Sequence, residues 1–391
     1  MEVSDNAVVL LGAGASAEAG IPTTRKMTNQ LVSRIAEESY ARDKTVSALH
    51  FVCGSLIAYD AAQGLSPFEG LDVERVFAAV ELLAERRTLE VTPFVSAWHP
   101  AVDAWDEMSR SAPMSLGRDF KKALSSPFDQ ELVQVITRLI DSRVTANAGG
   151  ETYAALARRM VGELRRLVAV SPKDVGYLTP LAQRGRRAGG LTVATLNYDL
   201  GVEQAAAQAG VPLSTGIGSW LENGRWGWPP NGIRLLKLHG SIDWVWDRHP
   251  YEDGELLRDV VRVIDDPEEE HEAPALVFGN RGKLQAKGPF LGLLAEFEDQ
   301  LTASDQLIVI GYSFRDDHVN EVIRQWTSES KDNDLLVVDP YWPEAYDEAA
   351  TPFQRELESH LTDWRDPPTF SPRLEVRRTT CSEALSTFPP T

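Results

Sequence analysis

VVLLGAGASAEAGIPTTR, residues 8–25, decides the fold of this chain. It begins with an apolar run, VVLL at residues 8–11, which predicts a buried parallel strand. The run breaks into Gly12, Ala13, Gly14, Ala15 and Ser16, small residues that let a backbone approach a phosphate closely. The next residues can begin a helix, whose N-terminus favours an anion. The spacing fits the G-x-G-x-x-G/A pattern of dinucleotide-binding loops, which also occurs in tight turns without a ligand.

Composition and charge narrow the class of protein. The chain has 391 residues, of which 43% are hydrophobic and 25% charged, as in soluble globular proteins. Its formal net charge is −19, and the sequence contains no run rich in lysine and arginine, so we expect an acidic surface. Because such a surface repels phosphate backbones, we expect no direct binding of DNA or RNA, although a partner that binds nucleic acid remains compatible.

Cysteine content and hydropathy bear on metal binding and location. Cys53 and Cys381 are the only cysteines, too few for a four-thiolate zinc site or a disulfide framework, so we expect no metal and two reduced thiols. The first residues lack a basic region. We expect no segment to reach the roughly 20 apolar residues that a membrane span requires. The sequence therefore predicts a cytoplasmic protein with no membrane segment.

The order of helical and strand-like segments predicts an α/β architecture. Apolar spacing indicates a mainly helical region over residues 28–188, with an Asp at the start of the helix over residues 72–87. Strand-like runs follow at residues 191–196, 233–238, 275–278, 306–310 and 335–338, with helical stretches near 200–209, 289–303 and 317–330. This alternation predicts a doubly wound, mainly parallel Rossmann-like sheet formed by residues 1–27 and 189–391, with residues 28–188 as a large helical insertion. The Trp-rich loop at 219–230 covers a pocket or forms an interface, and the sequence does not choose between them.

Polar residues follow the ends of the predicted strands. They form four groups: Asn197-Tyr198-Asp199, His239-Gly240-Ser241, Gly311-Tyr312-Ser313-Phe314, and Asp339-Pro340. Ligands of doubly wound sheets bind at the carboxyl ends of strands. We therefore expect these groups to converge with the glycine loop on one crevice.

Taken together, these motifs resemble the NAD-binding domain of sirtuins. GAGAS, GIP with Arg25, TLNYD, LHGS, the pair Phe278-Gly279, and GYS occur in the sirtuin order, over residues 7–25 and about 190–340. The resemblance implies a sirtuin-type fold with NAD⁺ as its ligand.

The departures from sirtuins point to a different activity. The chain cannot form the four-cysteine zinc ribbon of protein deacylases, and Thr23 and Thr24 stand where those enzymes carry Asp-Phe. In the family, that phenylalanine shields the reactive face of the ribose, so its absence should admit water. Together with NYD and GYSFRDDH, these features resemble the sirtuin-like NAD hydrolases of bacterial antiphage defence. The resemblance implies an NAD⁺ glycohydrolase that yields nicotinamide and ADP-ribose and depletes NAD⁺ in abortive infection.

Cleavage of the nicotinamide–ribose bond sets the requirements for catalytic residues. Nicotinamide in NAD⁺ is already cationic and leaves without protonation, so the enzyme needs a grip on the diphosphate, an orienting group and a base. We expect the Asn197 amide, which both donates and accepts, to orient the attacking water. His239 is the expected base. Asp199 is expected to hold the nicotinamide amide or to fix the ribose geometry.

The remaining candidates are expected to bind the nucleotide. Gly12, Ala13, Gly14 and Ser16 are predicted to grip the diphosphate. Arg25 is predicted to contact a phosphate, Gly311 and Ser313 to lie on the adenosine side, and Asp339 to accept from a ribose hydroxyl.

Each assignment has a structural alternative. Asn197 or Asp199 can cap the helix that begins near Leu200, and His239 can be a buried histidine satisfied by the protein. Asp316 and Asp317 are predicted to cap the helix that runs to Trp326.

Other functions and partners stay open at this point. The alternatives are a non-catalytic module that senses NAD⁺ or an ADP-ribose derivative, and a protein deacylase. A hydride-transfer dehydrogenase ranks last, because no second strand ends in the acidic residue that would meet the ribose. By resemblance, the chain is expected to form a homo-oligomer and to act with a partner subunit, a hexameric DNA-translocating ATPase or a short Argonaute.

Overall fold

The computed structural model describes residues 3–37, 44–64, 71–92, 102, 150–250, 257–265, 274–277, 288–343, 350–362 and 373–388. The predicted pair Phe278-Gly279 and the segments predicted helical at 128–145 lie outside these residues. The chain divides into two compact units, Met1–Thr23 with Arg165–Thr391, and Thr24–Leu164. The domain boundaries at 27/28 and 188/189 stay a prediction.

The described strands and helices follow the predicted alternation. The strands are β1 (Ala7–Leu11), β2 (Leu191–Thr195), β3 (Leu213–Ser214), β4 (Ile233–Lys237), β5 (Gly240–Pro250), β6 (Leu257–Val263), β7 (Pro274–Leu276), β8 (Gln306–Ile310), β9 (Asp334–Val338) and β10 (Leu374–Arg377). The helices are α1 (Thr24–Glu37), α2 (Lys44–Ala62), α3 (Val73–Glu85), α4 (Glu151–Leu167), α5 (Thr179–Arg184), α6 (Gly201–Ala209), α7 (Ile217–Asn223), α8 (Phe290–Thr302), α9 (Asp317–Glu329), α10 (Pro352–Leu361) and α11 (Cys381–Ser386).

The larger unit is built on a parallel sheet. Seven strands pair in the order β10-β9-β8-β1-β2-β4-β3, and each recorded pairing is parallel. β1 lies between β2 and β8, so the chain leaves it to one side of the sheet and later returns to the other. Ligands of such sheets bind where the direction of winding changes. The predicted Rossmann-like α/β fold is confirmed.

Both faces of this sheet are covered, which explains its apolar strands. All residues of β1 are buried. Val8 and Leu10 join one hydrophobic cluster, while Val9 and Leu11 join another, because successive side chains of a strand point to opposite faces. A strand that is buried on both sides therefore reads as a continuous apolar run.

A second, smaller sheet was not predicted. β5 pairs antiparallel with both β6 and β7, in the order β6-β5-β7. Of these strands the sequence predicted only β7, as a run at residues 275–278, and its expected place in the parallel sheet is wrong. Acidic residues such as Asp243 and Asp247 interrupt the apolar pattern of β5, and pairing with its neighbours compensates for this weak local signal.

In the smaller unit, α3 begins as predicted. Asp72 is its N-cap and accepts a hydrogen bond from Glu74 N at 2.8 Å. Val76 and Phe77 on its apolar face are fully buried. Capping and amphipathic spacing thus fixed this helix locally.

One helix of the smaller unit qualifies the expectation about membrane segments. By length and composition alone, α2 is apolar enough to cross a bilayer, with 19 residues and a mean hydropathy of 1.2. The expectation that no segment would come near this threshold is corrected for α2. A single helix of this kind is weak evidence of a membrane span, because core helices of soluble proteins meet the same criterion.

Candidate active site

The glycine loop after β1 lies against the loop after β8. Gly12 N donates to Ile310 O at 2.9 Å, and Gly14 N donates to Gly311 O at 2.8 Å. A Cβ on Gly12 would lie 2.5 Å from Gly311 O, and one on Gly311, where φ is +64°, would lie 2.3 Å from Ala15 N. This contact between two backbones by itself requires glycine at these positions.

The segment after Gly12 is a short 3₁₀ helix. It covers Ala13–Ala19 and ends at Gly20 in the left-handed conformation. Ala13 and Gly14 are exposed, whereas Ser16 is buried. Arg25 lies in the first turn of α1, and its side chain is outside the described part of the structure.

Asn197 fastens the glycine loop to the end of β2. Its Nδ2 donates to Gly12 O at 2.9 Å and to Ser16 Oγ at 2.8 Å, so both amide hydrogens are used. Its backbone N donates to Thr195 Oγ1 at 3.0 Å. Within the described residues, Asn197 Oδ1 accepts no hydrogen bond. The amide is therefore held rigidly and keeps an acceptor to offer.

Asp199 continues this network and begins α6. Its Oδ2 accepts from Ser16 Oγ at 2.7 Å and its Oδ1 from Gly201 N at 2.8 Å, with 7% of the residue exposed. It is Asp199, rather than Asn197, that satisfies a backbone N–H at the start of this helix. Since a carboxylate only accepts, the hydrogen bonds run from Asn197 through the Ser16 hydroxyl to Asp199.

A buried ion pair next to Asp199 supports this network, and it was not predicted from the sequence. Lys237 is fully buried, and its Nζ donates to Asp199 O at 2.6 Å and to Glu203 Oε1 at 2.8 Å. Burial raises the pKa of the Glu203 carboxyl, and the Lys237 charge opposes that rise. The sequence signal that could have indicated this ion pair was a lysine inside the apolar run IRLLKL at residues 233–238.

His239 and Asp316 form a buried pair. His239 Nε2 lies 2.8 Å from Asp316 Oδ2, and both residues are nearly inaccessible, at 5% and 4% exposed. Asp316 Oδ1 accepts from His318 N and Val319 N, which confirms the predicted cap for Asp316, whereas Asp317 is the first residue of α9. Sequence reasoning did not identify this carboxylate as the partner of His239, which lies 77 residues earlier.

Asn197 and His239 occupy equivalent positions on neighbouring strands. β2 and β4 pair in parallel up to Thr195 and Lys237, and Leu238 N still donates to Thr195 O at 3.0 Å. Each of the two candidates comes two residues after the last strand pair. Adjacent strands of a sheet lie roughly 4.8 Å apart. The two residues therefore follow neighbouring strands at the same end of the sheet, and convergence of all the candidate groups on one crevice stays a prediction.

The remaining candidates lie apart from this network. Ser313 is exposed, and Asp339 after β9 accepts from Tyr341 N at 2.8 Å. Burial raises the pKa of the Asp339 carboxyl. In the described part of the chain, no hydrogen bond joins Ser313 or Asp339 to Asn197 or Asp199. Their roles in nucleotide binding stay predictions.

The Trp-rich loop forms a stack. The rings of Trp220 and Trp226 lie 6.2 Å apart between centroids, and those of Trp226 and Trp228 lie 6.1 Å apart. Trp228 Nε1 donates to Glu296 on α8 at 2.8 Å. Trp226 and Trp228 pack against the main core, so at least part of the loop is structural.

We predict that Ser16→Ala weakens both stability and site geometry. The change leaves Asp199 Oδ2 and one Asn197 hydrogen without their partner, at a cost of about 1–3 kcal/mol in the free energy of unfolding. Urea denaturation measures this cost. Ser328→Ala is the matched control, because its exposed hydroxyl donates only to Gln325 O, and it should change stability by less than about 0.5 kcal/mol. Equal effects of the two variants would contradict the network.

Comparison with known proteins finds a family match for part of the chain. Residues 191–361 match the SIR2-like domain family. Similar solved structures include a Sir2 homologue in complex with NAD, at 13% identity, covering 97% of this chain and 86% of that one, with a TM-score of 0.38. A mutant Sir2 homologue with 2′-O-acetyl ADP ribose has 15% identity, coverage of 97% and 89%, and a TM-score of 0.36. For Sir2Tm bound to a propionylated peptide, the identity is 11%, the match covers 97% of this chain and 90% of that one, and the TM-score is 0.35.

No curated protein is significantly similar to the chain in sequence. The family match covers the strand ends that carry Asn197, His239 and Gly311. Among the described residues, no group of three or more His, Cys, Asp or Glu side chains is placed to hold a metal ion. Residues 191–361, a little under half of the chain, are therefore similar to a SIR2-like domain.

Proposed function

We propose that this protein is an NAD⁺ glycohydrolase that cleaves the nicotinamide–ribose bond. The observation that carries the proposal is that Asn197 and His239 each follow, by two residues, the last pair of the neighbouring strands β2 and β4, within the region similar to SIR2-like domains. Both side chains are fixed by other groups, Asn197 by the glycine loop and His239 by Asp316. Rigid placement of an orienting group and a base is what such a reaction needs.

The proposed reaction consumes one water per NAD⁺. The bond between ribose C1′ and the pyridinium nitrogen breaks, and its electron pair leaves with nicotinamide. Water adds to C1′, and its proton passes to His239. Because both Asn197 hydrogens are already donated within the protein, Asn197 orients the water by accepting from it through Oδ1. Asp199 then acts by holding Ser16, and so Asn197, since both of its oxygens are occupied.

Nucleotide binding is assigned to the loops around this pair. The N–H groups of Gly12 and Gly14 donate to Ile310 at the end of β8 and to Gly311 directly after it, so the exposed backbone around Ala13 and Gly14 is the surface proposed to meet the diphosphate. Arg25, Gly311, Ser313 and Asp339 keep the binding roles predicted from the sequence.

The product assay tests this function directly. We expect purified protein, alone or with its activator, to convert NAD⁺ into equal amounts of nicotinamide and ADP-ribose, measured by chromatography. Tight NAD⁺ binding by calorimetry with no product under any activating condition would instead identify a sensor. Nicotinamide release that depends on an acylated peptide would identify a deacylase.

The biological setting is part of the same proposal. An NAD⁺ hydrolase that was always active would kill its host, so we propose that the activity of this protein is inhibited until it is triggered. We propose that it is a cytoplasmic effector of antiphage defence and works as a homo-oligomer with a partner subunit. Cys53 and Cys381, both free thiols, are compatible with a reducing compartment. Light scattering that shows a fully active monomer would contradict the oligomer.

A further inference from the structure

We propose that Asp316 is a positioning residue that fixes the tautomer of His239, so that Nδ1 is the nitrogen that takes the proton. The proposal rests on the proposed function for its catalytic meaning and on the buried contact between Nε2 and Oδ2 for its geometry. Asp316 lies directly before α9, outside the strand-end residues to which sequence reasoning gave catalytic roles.

The Asp316 carboxylate divides its two oxygens between two tasks. Oδ1 accepts from His318 N at 3.1 Å and Val319 N at 3.4 Å, while Oδ2 lies 2.8 Å from His239 Nε2. α9 has 13 residues, and a negative charge at the N-terminus of a helix is stabilised by the helix dipole. The helix N-terminus therefore favours the ionised carboxylate, and the two backbone donors fix its orientation.

Groups behind the carboxylate hold its backbone. Asp316 N donates to the Tyr312 hydroxyl at 3.0 Å, and that hydroxyl lies 2.9 Å from Asn320 Oδ1. Asn320 Nδ2 in turn donates to Phe314 O at 3.0 Å. Among the described residues, Phe314 is the only non-glycine residue with a positive φ, which is 55°. Strained backbone of this kind persists where the surrounding contacts hold it in place, and it often marks a functional loop.

The contact settles which nitrogen of His239 carries hydrogen. An ionised carboxylate offers no hydrogen, so Nε2 must donate, and neutral imidazole then keeps its lone pair on Nδ1. Within the described residues, Nδ1 makes no hydrogen bond. When Nδ1 takes a proton from water, the ring becomes positive, and the adjacent carboxylate stabilises that charge.

Asp316→Asn tests this inference, with Asp317→Asn as the matched control one residue later on the same helix turn. Asparagine can still cap α9 through its oxygen, but its amide hydrogens then face Nε2 and favour the opposite tautomer. We expect kcat to fall about 10- to 100-fold, less than the 10²–10⁴ carried by a complete general base, with KM changed less than about twofold. Asp317 is exposed, so its variant should retain both constants.

A second readout works without substrate. In protein labelled with ¹⁵N-histidine, correlation spectra of the ring nitrogens should show wild-type His239 protonated at Nε2, and Asp316→Asn should move that hydrogen to Nδ1. A wild-type ring protonated at Nδ1, or an unchanged tautomer and kcat in Asp316→Asn, would overturn the inference. Should Asp316→Asn fail to fold, the wild-type spectrum alone decides. Absence of NAD⁺ hydrolysis by wild-type protein would reject the proposed function, while the spectrum still judges the tautomer.

Discussion

His239→Ala is expected to lower the rate of NAD⁺ hydrolysis by about 10²–10⁴-fold, because the variant removes the proposed base. NAD⁺ should still bind, because the glycine loop is unchanged. Nε2 of the buried imidazole lies 2.8 Å from Asp316 Oδ2, and in the proposed reaction the ring receives the proton of the attacking water. Product formation followed by chromatography measures the rate, and calorimetry measures binding.

His318→Ala is the matched control for this loss. His318 is half-buried in the first turn of α9, and only its backbone N–H contributes to the Asp316 cap. Its alanine variant should keep wild-type turnover. Unchanged turnover in His239→Ala would remove His239 from the mechanism, whereas equal losses in both variants would point to a general disturbance around Asp316.

Gly311→Ala is expected to destabilise the protein by about 2–5 kcal/mol, because it combines a left-handed backbone with a steric clash. The new Cβ would lie 2.3 Å from Ala15 N, and neither backbone can move freely, since Gly14 N is bonded to Gly311 O. Urea denaturation measures the loss. We also expect weaker NAD⁺ hydrolysis, because the glycine loop that Asn197 fastens must shift.

Gly218→Ala separates this effect from a general intolerance of alanine. Gly218 lies in α7, and among the described residues no atom beyond its chain neighbours and its own helix backbone would come within 4 Å of its added Cβ. In a helix, alanine is favoured over glycine by roughly 0.5–1 kcal/mol, so this variant should be neutral or slightly stabilised. Similar unfolding curves for the two variants would show that the two loops are not in tight contact.

The parallel sheet was readable from the sequence because of where its strands lie. β1, β2, β8 and β9 are covered on both faces, so their apolar runs mark them without reference to any partner. β10 was missed because it is a four-residue edge strand, with Glu375 and Arg377 at least partly exposed. Its pairing with β9 compensates for that mixed pattern.

The glycine loop shows a limit of motif reading. Its glycines were interpreted as space for a phosphate, yet Gly12 and Gly311 are required by the contact between two protein loops. The same pattern would therefore arise with or without a bound nucleotide.

By itself, the sequence determined the strand ends that carry Asn197 and His239, because a buried strand followed by polar residues is a local pattern. Only the tertiary structure decided what those residues touch. The partner of His239 follows a different strand, β8, and both hydrogens of Asn197 are used by a loop that lies far away in the chain. Hydrogen bonds depend on distances between separate elements, and packing of the whole sheet sets those distances.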